Sequence, residues 1–62
     1  MKVGDLVTYS RHPWKFYWIG VVVKEIPGTP EHRTVVSVSW IKPTKMVNTN
    51  PDNELEVISE SR

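Results

Sequence analysis

Hydrophobic residues fall into five short runs along this chain: Gly4-Asp5-Leu6-Val7, Ile19-Gly20-Val21-Val22-Val23, Val35-Val36-Ser37-Val38-Ser39-Trp40, Met46-Val47 and Leu55-Glu56-Val57-Ile58. The runs are rich in β-branched residues and turn residues separate them, which is the pattern of strands. No window holds an i, i+3, i+4, i+7 apolar stripe free of proline or a β-branched run, so no long helix is expected. The third run alternates most clearly. Val36, Val38 and Trp40 share one parity and are expected in the core; Ser37 and Ser39 share the other and are expected to be wet. Strands are predicted over Asp5–Tyr9, Tyr17–Ile26, Thr34–Ile41, Lys45–Thr49 and Leu55–Ser59, with Leu55 and Val57 pointing inward.

The punctuation between runs agrees. Pro13 lacks a donor for any ladder and drives His12 toward an extended conformation, so 10–14 reads as a loop. Gly20 interrupts the second run, which predicts a bulge or a close backbone approach and lets one long strand serve two sides of a barrel. Pro27-Gly28-Thr29-Pro30 is a turn, Lys42-Pro43-Thr44-Lys45 a hairpin loop, and Asn50-Pro51-Asp52-Asn53 a turn that includes one 3-10 turn. Residues 60–62 read as a frayed tail. Five short strands in this order, with a loop after the first and a tight turn before the last, predict an all-β, five-stranded SH3-like barrel over residues 1–59, closed so as to hide its edges.

Size and charge narrow the picture. Sixty-two residues make a single domain, and a chain this short buries only about 60% of its unfolded surface. There is no cysteine, so stability rests on packing three Trp, two Tyr and one Phe, or on docking to a partner. A formal net charge of +1 gives no dominant field of either sign, which argues against strong non-specific nucleic-acid binding. No apolar stretch follows Met1–Asp5 as a signal peptide would require, and no run approaches the ~20 apolar residues of a membrane span.

The opening Met1–Val7, the Ile19–Val22 strand, the Val36–Trp40 strand of form Val-x-Val-x-Trp and the closing Glu54–Ser59 together resemble small SH3-like proteins encoded by tailed phages, especially marine and cyanobacterial ones. The opening is also similar to KOW-like and Tudor-like barrels. The resemblance spans nearly the whole chain. It departs at the third hairpin, where an acidic-Gly turn is usual after the Trp and Ile41-Lys42-Pro43-Thr44-Lys45 stands instead. It implies a virion accessory attached to capsid or tail, working in the virion or the host cytoplasm.

The densest chemistry lies in Arg11-His12-Pro13-Trp14-Lys15-Phe16-Tyr17-Trp18. Aromatic rings give a large contact area and Arg is a frequent partner at interfaces, so this segment is expected to be a contact loop. Trp14 and Tyr17 are expected to be exposed. Phe16 and Trp18 are open between exposure and plugging the barrel end. The candidate protein-binding residues are Arg11, Trp14, Lys15, Tyr17, Lys42 and Lys45, on an adhesive surface formed by Arg11–Trp18 with the Pro27–Glu31 and Lys42–Lys45 loops. The same segment suits single-stranded nucleic acid, with bases on Trp14 or Tyr17 and phosphates on Arg11 and Lys15; Asp5, Glu25, Glu31 and the acids from Asp52 to Glu60 weigh against it. A regulator that binds a host protein is a further reading.

Other residues point to structure. Trp40 reads as core by parity. Glu54 and Glu56 alternate with Leu55 and Val57, as on the outer face of an edge strand that resists strand addition. His12 and His32 have nineteen residues between them and no Cys is present, which matches no zinc spacing. No Ser-His-Asp order, P-loop or dinucleotide fingerprint occurs, and paired carboxylates without a cleft make no acid–base site. No catalytic residue, metal or cofactor is expected, and the function expected is non-enzymatic docking to a larger protein assembly.

Overall fold

The structure, a computed structural model, describes residues 1–60. It is all-β apart from one 3-10 turn. The strands are β1 (Leu6–Tyr9), β2 (Ile19–Ile26), β3 (Val35–Lys42), β4 (Met46–Pro51) and β5 (Leu55–Ser59), with the 3-10 turn over Asp52–Glu54. Of the tail expected at 60–62, the last two positions lie outside the described residues.

All five strands form one antiparallel sheet in the order β4-β3-β2-β1-β5. β4 and β5 share no ladder, so the sheet is not closed as the barrel expectation requires. The cause is local. β4 ends on Pro51, which has no N–H to donate; the chain then turns through Asp52–Glu54, and β5 pairs with β1, Tyr9 opposite Leu55. One side-chain bond reaches across from β1 to β4 instead, Tyr9 Oη donating to Asn50 Oδ1 at 3.0 Å, while the Ser10 N–H donates to the Glu54 carbonyl at 3.0 Å and continues the β1–β5 side.

The alternation in β3 holds. Val36, Val38 and Trp40 are fully buried, and Ser37 and Ser39 lie half-buried on the other face. Val7, Val22 and Leu55 complete the core, with Tyr9, Trp18 and Val57 packed against it. In β1, Thr8 is as buried as Val7, because its hydroxyl accepts the Phe16 N–H at 2.7 Å and so ties the β1–β2 loop to the sheet.

Gly20 is required by what surrounds it. A Cβ there would stand 2.6 Å from Val38 Cγ1 and 2.8 Å from Trp40 Cε3, so the absent side chain is what lets β2 lie against the core layer. The β2–β3 register shifts beside it, between Ile19 and Gly20, and again between Val22 and Lys24. Gly4 holds a φ of 96° at the turn into β1, a conformation costly for any residue with a Cβ. Beside it the buried Asp5 carboxylate accepts the Lys2 N–H at 2.8 Å.

Two boundaries move for a physical reason. β2 starts at Ile19 rather than Tyr17 because 11–18 is wound into consecutive turns. The Trp14 and Lys15 N–H groups both donate to the Arg11 carbonyl, and those of Tyr17 and Trp18 to the Trp14 carbonyl. β4 runs past Thr49 to Pro51 because Asn50, expected in a turn, is buried. Its amide donates to Asn48 Oδ1 at 2.6 Å, so the side chain is satisfied inside the fold. The ends of β1 at Tyr9 and β2 at Ile26 and the whole of β5 match expectation, and the remaining strand ends differ from it by a single residue.

Candidate aromatic docking groove

The site is built outward from Trp40. Its ring is almost fully buried, and its indole N–H donates to Asn48 Oδ1 at 2.7 Å, which also receives the Asn50 amide. Tyr9 stacks on Trp40 with centroids 4.9 Å apart, and Trp18 meets both rings edge-on, at 5.5 Å from Trp40 and 6.2 Å from Tyr9. Offset stacks and edge contacts of this kind add about 0.5–1.5 kcal/mol each beyond area burial. The triad therefore anchors the C-terminal end of β1 and the entry to β2 on the core.

A groove opens on this base. The β1–β2 loop forms one side, with Ser10, Arg11 and Trp14. The 3-10 turn forms the other, with Asn53 and Glu54. Tyr9 and Trp18 lie between. The volume is about 570 Å³, within the ~300–1,000 Å³ of typical ligand clefts. Arg11 from the loop and Glu54 from the turn place charges of opposite sign beside the three rings and the polar Ser10 and Asn53.

The expected contact residues do not all gather here. Trp14 and Arg11 line the groove. Tyr17 touches Trp14, centroids 5.9 Å apart, and both rings are about half exposed, as expected. Lys15 turns toward β5, where its ammonium pairs with Glu56 at 3.1 Å, and it also stands 5.6 Å from the Phe16 ring centroid. Phe16 and Trp18 resolve in opposite directions. Trp18 packs on the core, whereas Phe16 is 59% exposed and holds a φ of 63°, a region where bulky residues are outliers.

Lys42 and Lys45 are exposed and do not line the groove. Lys42 stands opposite Ile19 in the β2–β3 ladder, at the far end of β3 from the loop before it. The Pro27–Glu31 loop contributes to a separate, polar hollow walled by residues 28–34 and Asp52. The Asp52 N–H donates to the Thr34 carbonyl, and Arg33 approaches Asp52 at 3.7 Å. The 3-10 turn thus stands between the two hollows and joins two of the three expected loops; the third is elsewhere.

Three groove residues escape a reading by strand parity. Tyr9 shares the parity of Val7, yet as the last residue of β1 it reaches the groove while it also stacks on Trp40. Glu54, expected on a strand's outer face beside Glu56, lies in the 3-10 turn because β5 begins only at Leu55. Asn53 sits in a segment expected simply to turn.

Among the described residues no group of three or more His, Cys, Asp or Glu side chains could hold a metal ion, and no helix is long and apolar enough to cross a membrane. Comparison with protein-family models, with curated proteins and with solved structures finds no match.

Proposed function

We propose that this chain is a non-enzymatic protein-interaction module that docks on a larger protein assembly through the aromatic groove. The observation that carries the reading is one surface on which Tyr9, Trp14 and Trp18 are accessible from a single cleft with Arg11 and Glu54 at hand. Tyr9 and Trp18, already fixed by Trp40, lose little entropy on binding, and apolar burial at about 25 cal/mol per Å² makes these rings and the half-exposed Trp14 the main source of affinity. The partner segment presents apolar side chains to the rings and polar or charged groups to Arg11 and Glu54.

The sheet order, with a 3-10 turn ahead of the last strand, supports reading the fold as an SH3-like barrel whose seam is bridged by side chains. On the resemblance carried by Met1–Val7, Ile19–Val22, Val36–Trp40 and Glu54–Ser59, the assembly is a phage capsid or tail, and the protein acts in the virion or the host cytoplasm. Purified virions are the test. The chain should be found in them by mass spectrometry, and Trp14→Ala should lower its occupancy while its thermal unfolding stays that of the parent. Equal decoration by the variant would refute the groove as the docking site.

A second reading, a KOW- or Tudor-like nucleic-acid binder, draws on the exposed Trp14–Tyr17 pair beside Arg11, since bases stack on such rings. Its basic track is short, because Lys15 is engaged by Glu56 and Lys42 and Lys45 lie outside the groove. Titration with a single-stranded oligonucleotide across salt separates the readings: phosphate neutralisation gives a steep fall of log affinity with log salt, and apolar docking a shallow one.

A further inference from the structure

The two edges of the sheet are built differently. β5 carries Glu56, is flanked by Glu54 and Glu60, and pairs with β1 across an irregular register between Leu6 and Val7. Charges and irregular edges are the usual means of preventing another strand from adding. β4 has neither. Met46–Pro51 contains no charged residue, and its six pairs with β3 run in unbroken register from Val35–Pro51 to Trp40–Met46. Among the described residues β3 is its one ladder partner, so its outer edge presents main-chain donors and acceptors that enter no ladder as far as Pro51.

The side chains on this edge are also unusual. Val47 is 65% exposed, the most exposed large hydrophobic residue among those described; Ile41, on the same face of β3, is 53% exposed, and Met46, at the start of the strand on the other face, is 40% exposed. The opposite parity is fixed to the core, because Asn48 accepts from Trp40 and Asn50 accepts from Tyr9. β4 therefore cannot slip by one residue to hide Val47.

We infer that the β4 edge is a self-association site, at which a second copy of this chain adds its own β4 antiparallel and continues the sheet across a two-fold axis. Charge favours this occupant and this direction. Lys45 precedes the uncharged stretch and Asp52 follows it. With the axis at Asn48, Lys45 of each copy comes level with Pro51 of the other, one residue from its Asp52. Parallel pairing would instead set Lys45 against Lys45. On the outer face Val47 of each copy stands opposite Thr49 of the other, so both valines become covered. A net charge of +1 puts little repulsion between copies. One strand edge is small beside the ~1,200 Å² or more of a stable interface, so the dimer is reversible. The groove lies between the β1–β2 loop and the 3-10 turn, and this site goes beyond it.

Sedimentation of the full chain from micromolar to millimolar concentration should show a monomer–dimer equilibrium. Amide exchange at 46–50 should slow as the dimer fills, with exchange in β5 unchanged. Val47→Lys should raise the dissociation constant at least about tenfold by replacing the covered valines with two like charges set diagonally across the new strand pair. Lys45→Glu should weaken the dimer, and adding Asp52→Lys should recover it. A chain that stays monomeric throughout overturns the inference. So does a dimer whose protection maps to β5 or to the groove, a result read on the unmodified chain without reliance on any variant.

Discussion

Six aromatic residues divide into two groups of three that behave in opposite ways. Tyr9, Trp18 and Trp40 touch one another and hold the core. Trp14, Phe16 and Tyr17 are each about half exposed or more. Only Tyr17 stands between Phe16 and Trp18 along the chain, yet Trp18 is fastened to Trp40 and Phe16 faces solvent. The difference lies in the backbone. The loop takes a left-handed residue at Phe16 and anchors its N–H to Thr8, and that bend sends the 14–17 rings outward while returning Trp18 to the sheet. Ring chemistry is shared by the two groups, and main-chain geometry decides which ring builds the fold and which remains available to a partner.

Trp40 offers the most severe test of this contrast. Trp40→Ala removes the ring on which Tyr9 and Trp18 rest and leaves Asn48 without its indole donor, so a loss of about 3–5 kcal/mol is expected. In a domain this small that approaches the whole folding free energy, and far-UV circular dichroism should show a largely unfolded chain. A variant that unfolds with the parent's midpoint would show that the inner triad does not hold the fold. Gly20→Ala attacks the same layer from behind. A methyl 2.6 Å from Val38 and 2.8 Å from Trp40 must displace packed side chains, at a cost of about 1–3 kcal/mol in urea unfolding.

The inner group is more legible in the sequence than the outer one. Period-two alternation places Val36, Val38 and Trp40 inside without any structure, because a strand with one buried face leaves no choice of parity. Gly20 is legible as an interruption, since a glycine within a β-branched run weakens the strand unless a neighbour needs the space. The groove is only half legible. Arg11 and Trp14 stand out as a dense cluster, but the wall opposite them comes from Asn53 and Glu54, some forty residues later. That juxtaposition depends on β5 pairing with β1, which no local pattern encodes. For the same reason Lys42 and Lys45 look like an extension of the basic cluster: sequence shows that they are cations in a loop, and only the structure shows that neither lines the groove.

A finer test concerns the bonds between the two flanks of the open sheet. Tyr9→Phe keeps the stacked ring and removes the hydroxyl that donates to Asn50 Oδ1. Asn50 is nearly buried but retains its bond to Asn48, so the expected loss is about 1 kcal/mol, the ordinary net value of one hydrogen bond. Amide exchange should report it as faster opening at Asn50 and the neighbouring β4 residues. A loss confined to β1 would mean that the hydroxyl does not tie the flanks together.

The smallest effect has the opposite sign. Phe16 gains little from burial, being 59% exposed, while its φ of 63° places an L-residue in the left-handed region, at a cost of about 1–2 kcal/mol. Glycine removes that cost but adds about 0.5–1 kcal/mol through a more flexible unfolded chain. Phe16→Gly should therefore raise stability by roughly 0.5 kcal/mol, measured as a small upward shift in the urea midpoint. The same variant lacks a ring beside Trp14 and Tyr17, so a chain that is slightly more stable and docks less well would place Phe16 with the outer group by function as well as by position. A clear loss of stability would instead mean that the ring packs on the loop and belongs with Trp18.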